Sequence, residues 1–422
     1  MSKATEKLTF IDLFAGCGGF SEGFLQSGDF EAIAHVEWEL PMVRTLRNRL
    51  IKKWDHSEDD SYKHVVHFDI QKTDELIHGN WSEDSRKIYE KSNHNEVIES
   101  GLKGLVGEKK VNVIIGGPPC QAYSLAGRAQ DKNSMEYDYR NYLFESFIKV
   151  VDAFKPELFI FENVPGMLSA SPGGIKVTER IYNTFSEYGY TIKKPENLTE
   201  AVQTASDFGV AQKRKRVIII GIRNDVVSDG LSLKNIYDEI DNQKSKKEVT
   251  VSQIIGDLPK FFPSNKLSRI NGRNHSHKPE NKNLPYDDSM WPRFHNKRDV
   301  KIFKEWVSKE MNKKPMDLKI KFYNELLEKN SNHAKYRNLE WDNTSQTIVA
   351  HLYKDGLMFI HPDPKQARSI SVRESALIQS FPFDFEFIEK MGHNFKMIGN
   401  AVPPLMAKKI ALSISKVYKN SN

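Results

Sequence analysis

One of the two cysteines lies in a segment suited to holding a nucleophile. Cys120 follows Gly116-Gly117-Pro118-Pro119, which in turn follows the short apolar run 111–115. Two prolines fix the backbone before the cysteine, and such a rigid lead-in serves a reactive group better than a packed core. Only the thiolate attacks, so the thiol needs a lowered pKa or a base that removes its proton. The pattern predicts nucleophilic catalysis by Cys120; the alternative is an inert, buried thiol.

An acid and a basic run flank two other apolar runs. Glu162 follows the run 158–161, and a carboxyl group at the end of a buried strand tends to have a raised pKa and can donate a proton. The alternative is a structural hydrogen-bonding role. In the run 212–216, an extended backbone would place Arg214 and Arg216 on one face. These arginines could reach a phosphate or a carbonyl oxygen, unless the run is a solvated surface.

The glycine-rich segment 14–20, FAGCGGF, is suited to binding a nucleoside. Glycines let the backbone approach a ligand, and the helix that follows offers its positive N-terminal end. Glu37 ends the next β-rich run 21 residues after Gly16, where nucleoside-binding folds bind a ribose hydroxyl, and Trp38 could cover an adenine face. G-x-G-G does not complete G-x-G-x-x-G and no G-K-[ST] follows, which weakens the dinucleotide and P-loop interpretations. The alternative is a simple strand-to-helix turn.

Six β-rich runs alternate with helical stretches and must position these residues. The runs are 8–14, 31–37, 64–70, 111–115, 157–161 and 216–222, and the helical stretches include 141–154. This alternation predicts an α/β fold, a doubly wound, mostly parallel sheet with helices on both faces. Ligands of such sheets bind beyond the carboxyl ends of the strands.

Three segments interrupt the alternation. The polar segment 71–110 is predicted to be a surface insertion, and 224–389, with its basic run 244–247, a second domain inserted into the first. From Pro403 onward a helix is expected, since proline suits helix entry. Its apolar stripe of Met406, Ile410, Ile414 and Val417 should dock on the first domain.

The composition excludes several classes of protein. A chain of 422 residues with 39% apolar and 28% charged residues fits a soluble globular protein of two or three domains. No apolar run approaches the roughly 18 residues of a membrane span. Two cysteines rule out a disulfide scaffold and a four-cysteine zinc site, and no metal site is predicted. The excess of 62 basic over 56 acidic residues permits a nucleic-acid partner.

Together the motifs resemble the DNA (cytosine-5) methyltransferase family of bacterial restriction-modification type. Six segments occur in the family's order: DLFAGCGGF at 12–20, GGPPCQAYS at 116–124, ENV at 162–164, QKRKR at 212–216, RESALIQSFP at 373–382 and GNAVPP at 399–404. The resemblance implies S-adenosylmethionine as cofactor. It assigns Cys120 as the nucleophile, Glu162 as the cytosine-binding acid, and Arg214 with Arg216 as the basic pair at the target base. The implied cofactor-binding residues are Phe14, Ala15, Gly16, Gly18, Gly19, Glu37, Trp38, Asp69, Ile70, Pro119, Leu143, Asn400 and Ala401.

The resemblance also implies a domain plan and a partner. Residues 1–223 form the catalytic domain, 224–389 the target-recognition domain, and 390–422 complete the catalytic domain. Double-stranded DNA is the expected partner, with a restriction endonuclease as an indirect one. We expect a monomer without a membrane segment, in the bacterial cytoplasm at the nucleoid.

Three alternatives remain open. A binding-only relative would need neither Cys120 nor Glu162. An RNA methyltransferase on the same scaffold is disfavoured by the large inserted domain, but not excluded. A nicotinamide oxidoreductase conflicts with the incomplete glycine pattern and with GGPPCQ.

Overall fold

The structure, a computed structural model, describes residues 7–119, 143–171, 174–270, 272–281, 283 and 286–421. Their contacts define two compact units. Unit 1 comprises the described parts of Met1–Gly209, Lys215–Lys246 and Ala401–Asn422, and unit 2 comprises those of Val210–Arg214 and Lys247–Asn400.

An eight-stranded sheet runs through the described part of unit 1. The strands of this sheet are β1 (Leu8–Leu13), β2 (Phe30–Glu37), β3 (Val65–His67), β4 (Val113–Gly116), β5 (Leu158–Asn163), β6 (Tyr190–Thr191), β7 (Val202–Thr204) and β9 (Lys215–Arg223). The order is β3-β2-β1-β4-β5-β9-β6, and β7 also pairs with β9. Strands β1 to β5 are parallel, whereas β9 is antiparallel to its neighbours. The chain order reverses between β1 and β4, so the ligand crevice of such a sheet opens at their carboxyl ends.

The six predicted strands are confirmed as β1 to β5 and β9. Strand β3 is shorter than the run 64–70 because the chain turns after it: the amide of Lys72 donates to the carbonyl of Asp69 over 3.0 Å. The predicted α/β class and mostly parallel sheet are also confirmed.

Ten α-helices surround this sheet in the described part of unit 1. They are α1 (Gly19–Ser27), α2 (Leu40–Lys53), α3 (Glu58–His64), α4 (Thr73–His78), α5 (Glu83–Tyr89), α6 (Asn95–Val106), α7 (Leu143–Phe154), α8 (Val177–Glu187), α9 (Leu233–Asn242) and α15 (Pro404–Ser421). The predicted docking of the C-terminal helix is confirmed, because its apolar stripe is buried and α15 packs on α1. A Cβ atom on Gly23 of α1 would lie 2.4 Å from the Cβ of Ala407, so only glycine allows this close approach.

Unit 2 has little sheet and a separate core. Its strands are β8 (Gln212–Lys213), β10 (Phe261–Ile270), β11 (Arg273–Pro279) and β12 (Ser345–Gln346), with β8 parallel to β12 and β10 antiparallel to β11. Its helices are α10 (Val251–Ile255), α11 (Lys297–Ser308), α12 (Met316–Leu327), α13 (Val372–Ile378) and α14 (Met391–Asn400). Phe303, Trp306 and Ile360 are fully buried in its core. A buried ion pair between Arg368 and Glu374, 2.7 Å apart, adds a polar link.

The compact units do not end at the positions 223/224 and 389/390 that the sequence suggested: Val210–Arg214 already belongs to unit 2, and the main boundaries follow Lys246 and Asn400. Helix α9 packs on β9 of unit 1, where the Tyr237 hydroxyl donates to the carbonyl of Ile218 over 2.8 Å. Helix α14 packs on the 3-10 helix Ala350–Tyr353 of unit 2. Long-range packing therefore decides where each unit ends.

None of the helices in the described parts of the chain combines the length and the apolar character needed to cross a membrane.

Candidate active site

The turn between β1 and α1 has an unusual backbone. Phe14, Gly16 and Gly18 have positive φ angles of 61°, 58° and 88°. A Cβ atom on Gly18 would also lie 2.5 Å from Cδ1 of Leu46. Ala15 is buried. The backbone of this turn therefore adopts conformations that favour glycine. The Gly16 amide donates a hydrogen bond to the Glu37 Oε2 atom over 2.8 Å.

Glu37 ends β2 as a buried carboxylate that is held by backbone amides. Its Oε1 accepts from the amides of Trp38 and Glu39 over 2.9 and 2.8 Å. Burial raises the pKa of Glu37 to about 7, and the amides of Glu39, Gly16 and Trp38 act in the opposite direction. The side chain of Trp38 is 51% exposed. A buried acid thus stands beside an exposed aromatic face.

Asp69 and Ile70 follow β3 at the same edge of the sheet. Strand β3 pairs in parallel with β2, with His67 opposite Glu37. The Asp69 Oδ1 atom accepts from the amide of Gln71 over 3.0 Å, and Ile70 is buried. The structure therefore brings the predicted glycine turn, Glu37, Trp38, Asp69 and Ile70 together at the carboxyl ends of β1 to β3.

Immediately after β4, the chain passes close to the Glu162 side chain. A Cβ atom on Gly117 would lie 2.5 Å from the Glu162 Oε2 atom, and one on Gly116 would lie 2.6 Å from the carbonyl oxygen of Leu13. A side chain at Gly116 would therefore clash with the backbone of the sheet, whereas one at Gly117 would displace the end of the Glu162 side chain. Pro119 is exposed at the end of the described segment. Cys120, the predicted nucleophile, lies outside the described residues.

Glu162 forms an ion pair with Arg216. The Arg216 Nε atom lies 2.6 Å from Glu162 Oε1, and the two side chains are 13% and 11% exposed. Strands β5 and β9 are antiparallel neighbours, with Glu162 opposite Ile218. The pairing of the strands thus brings the predicted acid and one predicted arginine together.

Arg214 makes its described contacts within unit 2. Its side chain is almost fully buried and donates to the carbonyls of Ile348 and Gly399 over 2.8 and 2.9 Å. The expected single extended segment is interrupted at Arg214, which lies between β8 and β9. The two predicted arginines thus have different described partners: backbone carbonyls bind the Arg214 guanidinium, whereas Arg216 pairs with Glu162.

The remaining predicted cofactor residues are distributed over both units. Gly19 and Leu143 are buried at the first positions of α1 and α7 in unit 1. Asn400 ends α14 in unit 2, whereas Ala401 begins the last part of unit 1.

Cys17 is the free cysteine among the residues described, and it is buried. Burial raises the pKa of its thiol well above the ordinary value. Cys17 is therefore unsuited to act as a nucleophile.

These features define the class of protein: a doubly wound α/β enzyme with a nucleoside-type site at the ends of β1 to β3 and a paired carboxylate at the end of β5. The family model for C-5 cytosine-specific DNA methylases matches residues 8–80 and 80–416. The chain belongs to this family, and it is a DNA (cytosine-5) methyltransferase.

Individual relatives agree with the family match. The chain is 33% identical to the type II methyltransferase M.Bpa9945I of Bacillus paralicheniformis over 96% of this chain and 98% of that protein. It is 28% identical to the type II methyltransferase M.NgoPII of Neisseria gonorrhoeae over 98% and 96% of the two chains. A solved E. coli prophage protein, described as a DNA modification methyltransferase, shares the fold with a TM-score of 0.59 at 22% identity, over 98% of this chain and all of that one.

S-adenosylmethionine is the cofactor of this family, and the residues at the ends of β1 to β3 fit its adenosyl part. The Glu37 carboxylate can accept hydrogen bonds from ribose hydroxyls, and the exposed Trp38 indole can stack on an adenine face. Gly16, whose positive φ favours glycine, leaves the turn without a side chain at that position.

Proposed function

We propose that catalysis takes place where β4 and β5 end, with Cys120 as nucleophile and with Glu162 and Arg216 at the target base. The observation that carries this proposal is the close approach at Gly117. Gly117 belongs to the segment that leads from β4 to Cys120, and a Cβ atom built on it would lie 2.5 Å from the Glu162 Oε2 atom. The Glu162 carboxylate is itself paired with Arg216.

The proposed chemistry begins with an aromatic ring that is a poor carbon nucleophile. The sulfur of the Cys120 thiolate bonds to carbon 6 of cytosine, the electrons of the carbon 5–carbon 6 double bond move toward ring nitrogen 3, and Glu162 in its protonated form supplies a proton there. Arg216 holds Glu162 in place and can stabilise the oxygen on carbon 2. When bound, S-adenosylmethionine supplies an electrophilic methyl group for carbon 5. Nitrogen 3 returns its proton to Glu162 as carbon 5 gains the methyl group, and solvent then takes the carbon 5 hydrogen as a proton so that the thiolate leaves carbon 6. The base must leave the helical stack first.

The glycine turn, Glu37, Trp38, Asp69 and Ile70 are proposed to bind the adenosyl part of the cofactor. For Pro119, Leu143, Asn400 and Ala401, cofactor contact remains a proposal that rests on the family resemblance. The role of Arg214 at the target base likewise remains a proposal that rests on the family resemblance, and its hydrogen bonds to two backbone carbonyls also tie it to unit 2.

Unit 2 is proposed to read the DNA sequence. A cleft of about 690 Å³ in this unit is lined by amide and basic side chains, including those of Asn312, Arg337, Asn338 and Asn343. Such side chains hydrogen-bond to base edges in the major groove. Asn338 is 8% exposed, and its Oδ1 atom has no hydrogen-bond partner among the described residues. A buried acceptor left unpaired is costly, so a rearrangement on DNA binding that supplies a donor to this atom would be favourable.

We further propose that the protein is the modification enzyme of a restriction-modification system. Both relatives named above are type II methyltransferases. In this role it would act as a monomer on a specific duplex sequence at the nucleoid, in a cell that also holds a cognate endonuclease.

The test is methyl transfer by the purified protein from radiolabelled S-adenosylmethionine to duplex DNA and to RNA, followed by bisulfite sequencing of the DNA. We expect label in DNA only, at cytosines within one sequence context, and much slower labelling with Glu162→Gln at the same enzyme concentration. Label in RNA alone, or cytosine modification without sequence context, would contradict the proposal.

A further inference from the structure

The segment 71–110, predicted to be a surface insertion, folds into helices α4 to α6. The backbone at Gly79, which follows α4, packs closely against the backbone at Gly101, which lies at a kink within α6. A Cβ atom on Gly101 would lie 2.5 Å from the Gly79 amide nitrogen. Trp81 is buried and stacks on Phe68, which follows β3, with ring centroids 4.2 Å apart. The segment is therefore built against the strand end that precedes Asp69.

Polar contacts attach the same segment to the last residue of β3. Asn93 accepts from the amide of His67 and donates to its carbonyl, each over 2.8 Å. Tyr89 packs edge-on against the His67 ring, with centroids 5.1 Å apart. His67 is thus held by the segment through its backbone and through its ring.

The His67 imidazole connects the segment to the cofactor site. Its Nε2 atom lies 2.9 Å from the carbonyl oxygen of Trp38, and its Nδ1 atom lies 2.6 Å from Oγ of Ser92. A carbonyl oxygen only accepts, so Nε2 carries the hydrogen. Burial lowers the pKa of His67, so near pH 7 the ring is neutral and Nδ1 is an acceptor. The one hydrogen of the Ser92 hydroxyl is shared between Nδ1 and the carbonyl oxygen of Tyr89, which lies 2.9 Å from Oγ. The amide of Trp38 is bonded to Glu37, so both backbone sides of this exposed tryptophan are fixed.

We propose that His67 is a positioning residue for the adenosyl half of the cofactor, and that the segment 71–110 acts through it to hold Trp38. This inference rests on the proposed cofactor site. Sequence patterns gave no signal for His67, because its partners in the segment lie more than twenty positions away along the chain.

The experiment measures S-adenosylhomocysteine binding to the full chain by calorimetry without DNA, with thermal unfolding in parallel. His67→Phe keeps a ring against Tyr89 and removes both hydrogen bonds, whereas His67→Gln keeps a donor for the Trp38 carbonyl. Ser92→Ala cuts the link from the segment side. His64→Phe is the matched control, since the His64 Nδ1 atom bonds a β2 carbonyl, that of Ile33, over 2.6 Å.

We expect His67→Phe to weaken binding about tenfold, which is the size of effect expected from losing the buried hydrogen bond that holds the Trp38 carbonyl. His67→Gln should recover most of this loss, Ser92→Ala should lie between wild type and His67→Phe, and His64→Phe should lower the unfolding temperature without changing affinity. In methylation assays His67→Phe should raise KM for S-adenosylmethionine and leave kcat at saturation unchanged.

Equal affinities in wild type and Ser92→Ala, or an equal loss of affinity in His67→Phe and His64→Phe, would overturn the role of His67. A wild-type protein that does not bind S-adenosylhomocysteine, or that binds it as well with Glu37→Gln, would contradict the cofactor site itself. The two failures are therefore distinguishable, and Ser92→Ala keeps the test valid if His67→Phe does not fold.

Discussion

At the residue scale, the Glu37 carboxylate is both buried and hydrogen-bonded. Burial raises its pKa to about 7 from the ordinary value of 4.5. Because the folded-state pKa is raised, this group stabilises the fold most at low pH. Its contribution is lost as the pH rises from about 4.5 through 7. Ribose hydroxyls donate hydrogen bonds, so they favour the ionised carboxylate.

The first prediction is that S-adenosylhomocysteine binds more tightly as the pH rises from about 6 to about 8, by up to about tenfold per unit below the Glu37 pKa. Calorimetry at each pH measures the affinity. Glu37→Gln should bind more weakly and lose this dependence. The same pH slope in Glu37→Gln would show that another group is responsible.

The second prediction concerns the two cysteines. Cys17 is buried with a raised thiol pKa, so a maleimide should label Cys120 in the native protein and Cys17 only after unfolding. Cys120→Ala should lose methyl transfer and keep cofactor binding. Cys17→Ala should keep most activity at a stability cost of about 1 kcal/mol. Peptide mapping of the label and radiolabel transfer measure both, and labelling of native Cys17 would contradict this account.

At the element scale, Gly117 decides how the chain leaves β4. The third prediction is that Gly117→Ala folds and binds S-adenosylhomocysteine like wild type but loses most of its kcat. The added Cβ would meet the flexible end of the Glu162 side chain, 2.5 Å away, and would displace this carboxylate from Arg216. Gly116→Ala is the contrast, because its Cβ would meet the Leu13 carbonyl in the sheet and should destabilise the protein. A Gly117→Ala enzyme with normal kcat would contradict the geometry.

Elements with a local signal were predictable from the sequence. The strands, the glycine turn and the C-terminal helix follow from alternation, turn residues and an apolar stripe. The partners of Arg214 were not predictable, since Ile348 and Gly399 lie 134 and 185 positions away. No pattern within the run 212–216 indicates that Arg214 hydrogen-bonds to these carbonyls while Arg216 pairs with Glu162.

At the scale of the whole molecule, the fourth prediction separates recognition from chemistry. Arg337 is exposed in the unit 2 cleft, and one bidentate base contact is worth about 1–3 kcal/mol of discrimination. Arg337→Ala should therefore methylate its preferred sequence more slowly and additional sequences relatively better, with unchanged S-adenosylhomocysteine affinity. Bisulfite sequencing reads the preference. Arg298→Ala, which removes an exposed unit 2 arginine paired with Asp299, should leave the preference unchanged. An unchanged sequence preference in Arg337→Ala would contradict the assignment of the cleft.

The sequence suggested two parts of the chain, and the compact units of the structure have other limits than those suggested. Loss of strand-helix alternation after β9 indicates a second unit. Helix α9 has no sequence feature that assigns it to unit 1; the Tyr237 contact with β9 does so. Similarly, the motif at 399–404 spans the boundary between Asn400 and Ala401, which only packing can reveal.

The central claim is covalent catalysis by Cys120 with assistance from Glu162, and duplexes carrying 5-fluorocytosine at the target test it most directly. In these duplexes fluorine replaces the hydrogen on carbon 5, so after methyl transfer a base finds no proton to remove there. The thiolate therefore stays bonded to carbon 6. We predict a denaturation-resistant protein–DNA band on a gel that requires S-adenosylmethionine, is absent with Cys120→Ala and forms much more slowly with Glu162→Gln. A band that persists without Cys120, or an active wild type that forms none with cofactor, would contradict the account.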